Sequence, residues 1–127
     1  KQIFLLIGVN DISHDLSTDS IVQMIEKNVT RIQRESPETK LYLQSLLPID
    51  ESFNRYKKLT NKTYQIPEIN DRLKALAKEK KIDFIDLYPL FTEKGTHVLR
   101  KELTFDGLHL KEEGYKIWVD AIKKKMK

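Results

Sequence analysis

The chain has 127 residues, enough for one domain built around a single core. Its 39% hydrophobic content includes no apolar run near the roughly 20 residues that a bilayer span needs. The net charge of +4 comes with no basic stripe interleaved with aromatics, which argues against nucleic acid as a partner, and the absence of cysteine excludes disulfides and thiolate metal sites while leaving the compartment open.

Ile3 to Ile7 is a continuous apolar run, β-branched at both ends, and predicts a strand buried on both faces of a parallel sheet. Lys1-Gln2 leads straight into it, with no signal-peptide pattern. Gly8-Val9-Asn10-Asp11 comes next at the strand's carboxyl end, where the glycine permits a sharp turn. An Asn10 amide there can donate a hydrogen bond toward a strand-end crevice; equally, Asn10 and Asp11 can form a turn that caps the next segment. Ser17 to Ser20 is a cluster of capping residues, and Ser20 with Gln23 fits a capping box. Ile21, Met24, Ile25, Val29 and Ile32 recur at helical spacing up to about Glu35, and Ser36-Pro37 ends the helix.

Leu41 to Leu47 reads as a second buried strand closed by Pro48. The polar, lysine-rich stretch from about Ile49 to Tyr64 is expected to be a long surface loop. Pro67 suits a first helical turn, and Ile66, Ile69, Leu73, Leu76 and Ala77 carry an apolar stripe to about Lys80. Ile82 to Leu87 is the third strand, succeeded by a loop from Leu90 to Phe105. The last helix is expected from about Lys111 to Lys125, with Tyr115, Trp118, Ala121, Ile122 and Met126 facing the core.

Strands alternating with helices imply right-handed crossovers and a parallel sheet, with ligands bound beyond the carboxyl ends of the strands. Both Gly8-Val9-Asn10-Asp11 and Thr104-Phe105-Asp106-Gly107-Leu108-His109 fall at that edge. A general base needs one free ring nitrogen and a carboxylate on the other, and Asp106 and His109 supply both from one short segment. A histidine merely capping a helix, with Asp106 as a first-turn carboxylate, is the plainer alternative.

These residues resemble a known family. Gly8-x-Asn10-Asp11 and Asp106-x-x-His109 look like the third and fifth sequence blocks of the SGNH (GDSL-type) esterases and lipases. Asp106-Gly107-Leu108-His109-Leu110, with Gly114-Tyr115 shortly after, is very similar to that family's C-terminal signature, and the likeness extends over essentially the whole chain, Leu46-Leu47-Pro48 included. The resemblance implies a flavodoxin-like three-layer α/β/α domain that hydrolyses esters with a serine nucleophile. Carried over by position, His109 is the general base, Asp106 its orienting acid and Asn10 an oxyanion-hole donor, with Gly8 and Asp11 shaping the Asn10 loop.

The Gly-Asp-Ser nucleophile segment of that family does not occur here, and none of the serines sits on a glycine-flanked strand-to-helix turn. Ser13 lies near Asn10 but reads as a loop residue. The expectation is therefore a partial domain running from the family's third strand to its last helix. Two N-terminal strands lie outside it, and a further segment or another chain pairs with the Ile3–Ile7 edge. The expected substrate is a small ester, an acylated carbohydrate among those the resemblance admits, with no cofactor and no metal. A non-catalytic interaction module and an O-acyltransferase of the same fold are the alternatives.

Other polar residues read more plainly. His14 and Asp15, with Asp11, match no standard ligand spacing. His97 lies in the long loop before Asp106, either solvated or able to close over a substrate. Asp83 and Asp86 flank the third strand without a phosphate-handling motif. Asn28-Val29-Thr30 and Asn61-Lys62-Thr63 match glycosylation sequons, the first in mid-helix.

Overall fold

The computed structural model describes residues 1–126, and for residues 9 and 10 the backbone alone. Three parallel strands, β1 (Gln2–Leu5), β2 (Lys40–Gln44) and β3 (Asp83–Ile85), form a sheet in that order. Ile3 lies opposite Leu41, and Leu43 opposite Phe84. The helices are α1 (Val9–Ser13), α2 (Thr18–Glu35), α3 (Gln65–Lys80), α4 (Tyr88–Phe91) and α5 (Glu112–Met126).

Period-two alternation along β2 sorts the core into two halves. Leu41 and Leu43 enter one cluster with Ile21, Ile25 and Val29 of α2 and Ile66, Ile69 and Leu73 of α3. Tyr42 enters the other with Leu87, Phe91, Leu99 and Leu103, against which Trp118 and Ala121 of α5 pack. The sheet therefore has α2 and α3 on one face and α5 on the other, a three-layer α/β/α arrangement. Full burial of each aliphatic side chain in these clusters stabilises the fold by about 1.5–3 kcal/mol.

Several local expectations are corrected. The first strand is an edge strand, with Ile3, Phe4 and Leu5 only half-buried, because β2 is its one partner among the described residues. The second helix is capped by Ser17, whose hydroxyl accepts from the Ser20 N–H; Ser20 is thus the recipient of the cap. The stretch from Ile49 to Tyr64 holds two 3-10 turns, Glu51–Phe53 and Lys57–Leu59, and buries Ile49 and Leu59. On α5 the apolar stripe is incompletely covered, leaving Tyr115 and Met126 exposed, while the half-buried Trp118 indole donates to Gln44 Oε1 at 2.6 Å.

Buried polar contacts fix the strand ends that carry the site. The Asn70 amide reads both backbone groups of Leu46, accepting from its N–H at 2.7 Å and donating to its C=O at 3.1 Å. Ser45 Oγ accepts from the N–H groups of Leu87 and Tyr88, tying the exit of β2 to that of β3. No described helix is long and apolar enough to cross a membrane.

Candidate active site

The segment from Thr104 to Leu110 is a closed turn, held by an antiparallel bridge between its two end residues. Thr104 Oγ1 donates to the His109 carbonyl at 2.6 Å and accepts from the Gly107 N–H at 3.0 Å. Gly107 sits at φ +91°, and a Cβ built there would lie 2.3 Å from the Asp50 carbonyl oxygen. Only glycine allows the turn to press this closely on residue 50, whose N–H donates to the Gly107 carbonyl at 2.9 Å.

Within this turn the Asp106 carboxylate faces two ways. Oδ1 accepts from the backbone N–H groups of Leu108 and His109 at 2.9 and 2.8 Å. Oδ2 lies 2.8 Å from His109 Nδ1. An ionised carboxylate can only accept, so Nδ1 carries the hydrogen and Nε2 keeps its lone pair. The His109 side chain is 66% exposed and that of Asp106 only 15%, so the imidazole is presented to solvent while the carboxylate bonded to it is shielded.

A third group, absent from the sequence expectation, completes the arrangement. Tyr56 Oη donates to Asp106 Oδ2 at 2.7 Å and lies 3.0 Å from His109 Nδ1. Burial pushes the Asp106 carboxyl up. The hydrogen bonds from His109, Tyr56 and the backbone of His109 and Leu108 outweigh that effect and hold it well below the usual carboxylate range. The bond to Asp106, and after it burial, raises the Tyr56 phenol above its ordinary value, with nearby Arg55 acting in the opposite sense. Tyr56 is therefore a protonated donor at neutral pH. No local signal marks it, since it lies 50 residues before its partner in a stretch without periodicity.

Gly8, at φ +135°, turns the chain out of the first strand, and Leu46 packs where a Cβ would stand. Short helix α1 comes next, in place of the expected loop. Asn10 belongs to that helix, but its side chain lies outside the described residues. Its neighbours Gly8 and Asp11 line a cleft of about 620 Å³ together with Leu6, Ile7, Leu46, Leu108 and His109, just past the carboxyl end of β1. The structure thus brings Gly8, Asp11, Asp106 and His109 to one side of the sheet.

The remaining polar candidates lie elsewhere. His97 is exposed, with its ring near the Tyr88 hydroxyl at 3.2 Å, and lines neither cavity that His109 lines. Asp15 pairs with Lys62, and Asp83 with Lys40. Burial raises the Asp86 carboxyl. Among the described residues no three His, Asp or Glu side chains gather as a metal ion would require.

Residues 1–117 match the profile of the GDSL-like lipase/acylhydrolase family. A Streptococcus pneumonia protein provisionally described as a platelet activating factor has a structure similar at TM-score 0.88 and 29% identity, over 99% of this chain and 59% of that one. A GDSL-like lipase from Bacteroides thetaiotaomicron superposes at TM-score 0.83 with 26% identity, over 96% of this chain and 60% of its own. An acetyl xylan esterase shares the fold at TM-score 0.77 with 21% identity, over 98% of this chain and 66% of its own. The chain thus spans less than two thirds of the length of the first and second of these structures, and about two thirds of the third. No curated protein is matched.

Proposed function

The chain belongs to the GDSL-like lipase/acylhydrolase family, and from that premise we propose that it is the base-bearing portion of a serine esterase. The observation that carries this reading is the contact of 2.8 Å between His109 Nδ1 and a shielded, doubly anchored Asp106. That contact leaves Nε2 free on an exposed ring. In this reading the domain runs from the family's third strand to its last helix, and the serine comes from outside the segment. A strand laid along the free edge of β1 delivers it into the cleft that His109 lines.

The serine Oγ attacks the acyl carbon of the ester as His109 Nε2 removes its proton, and Asp106 supports the imidazolium. Asn10 donates its amide hydrogen to the oxyanion, an interaction worth about 3 kcal/mol in the transition state. Collapse of the tetrahedral intermediate breaks the bond to the alcohol, which leaves with the proton from Nε2. Water then attacks the acyl-serine, giving its proton to His109, and the free acid and the serine hydroxyl are released. A small acyl ester, an acylated carbohydrate among them, suits this chemistry; the esterase named above acts, by its name, on acetyl xylan. An alcohol in place of that water turns the same steps into acyl transfer, and product analysis with a competing alcohol separates the two outcomes.

The full-length protein with His109→Ala is expected to lose about a thousandfold or more in kcat. A serine-directed phosphonate should label the unaltered protein at one serine, located by mass spectrometry. A His109→Ala loss below tenfold means that another group is the base. No label together with no esterase activity favours instead a binding module that uses the β1 edge.

A further inference from the structure

The His109 ring stands between two depressions. Besides the cleft past the end of β1, it lines a groove of about 560 Å³ together with Arg55, Tyr56, Lys57, Lys58 and Leu59. Leu108 forms part of both walls. Three cations and no carboxylate border this groove. Among the described residues none of the three makes an ion pair, whereas Lys62 of the same loop is paired with Asp15. The backbone of Lys57 and Lys58 is anchored on both sides. Leu59, at the end of the 3-10 turn, is 3% exposed, and Tyr56, before it, is bonded to Asp106. The loop that carries this unpaired positive charge is thus tied to the His109 side of the groove through Tyr56, which is bonded to Asp106.

We propose that this groove binds an anionic group, a carboxylate or a phosphate, carried by the ester presented to His109. The inference rests on the esterase reading for its substrate, but the groove's chemistry stands on its own. An arginine fork and two lysine point charges next to an apolar floor of Leu59 and Leu108 suit a small anion attached to a carbon skeleton.

The test uses the full-length protein with three phenyl acetates, bearing a para carboxamide, carboxylate or phosphate. The charged esters are expected to show kcat/KM at least about tenfold above the neutral one at low salt, an advantage that shrinks as salt screens the groove. In the Arg55→Gln/Lys57→Gln/Lys58→Gln variant the charged-to-neutral ratio should fall to about one. A second readout needs no turnover: benzoate and phenyl phosphate are titrated against a benzamide control, with the backbone amides of Lys57 and Leu108 as reporters. The anions should bind about tenfold more weakly to the triple variant. A charged-to-neutral ratio near one in the unaltered protein, or equal anion binding by protein and variant, overturns the proposal. Intact anion binding with no hydrolysis of any ester overturns the esterase reading and leaves the anion site standing. A preference between the two anions tells which one the groove is shaped for.

Discussion

Replacing Asp106 by Asn changes one atom and should reverse the polarity of the site. Oδ1 accepts from two backbone N–H groups, at 2.9 and 2.8 Å. The oxygen of an Asn side chain must stay there, because its NH2 group would otherwise confront two donors. The NH2 group therefore takes the Oδ2 position, 2.8 Å from His109 Nδ1 and 2.7 Å from the Tyr56 hydroxyl. There it can only donate, so Nδ1 must accept and the ring hydrogen moves to Nε2. The nitrogen that takes the serine proton in the proposed mechanism then already carries one. In the serine-protease case this exchange costs about 10⁴ in kcat with the geometry intact, and a loss of that order is expected in the full-length protein. Two-bond nitrogen–proton spectra of His109 report the tautomer directly, and thermal unfolding checks that the fold persists. If the Asp106→Asn variant keeps hydrogen on Nδ1, or loses less than tenfold in kcat, Asp106 does not set the tautomer.

Two further outcomes concern stability. Gly107→Ala combines a left-handed backbone with a Cβ 2.3 Å from a fixed carbonyl; it should cost about 2 kcal/mol or more, lowering Tm by roughly 6 °C. An unchanged Tm would mean that the contact with Asp50 is easily relieved. The folded Asp106 carboxyl lies below its ordinary value of about 4, so it binds protons less readily than the unfolded chain does. Its stabilisation is present in full above about pH 4 and is lost as pH falls through the folded-state value. The stability gap between the protein and Asp106→Asn, tracked by thermal melts, should stay level above about pH 5 and close in strong acid. A gap that widens in acid would refute the sign.

The contact between Asp106 and His109 was readable in the sequence because its geometry is local. Asp106 and His109 are three residues apart, and a turn that the intervening glycine permits brings their side chains together without help from distant structure. The stripes Ile21, Ile25, Val29 and Ile66, Ile69, Leu73 were equally legible, since helical periodicity is imposed by whichever face meets the sheet. Gly8 and Asp11 could be placed at the right sheet edge because a parallel sheet puts every strand's exit on one side.

What only the tertiary structure decided depends on contacts that no local pattern encodes. Tyr56 comes from an aperiodic loop whose own Ile49 and Leu59 are buried in the core, and from there its hydroxyl reaches Asp106. The burial of β1 depends on neighbours, so an apolar run fit for a central strand can lie half-exposed at an edge. Arg55, Lys57 and Lys58 read as solvated charge in sequence and become a groove wall only beside His109. Periodicity and short-range turns are written residue by residue, whereas the meeting of Tyr56 with Asp106 is set by how a whole loop folds over the core.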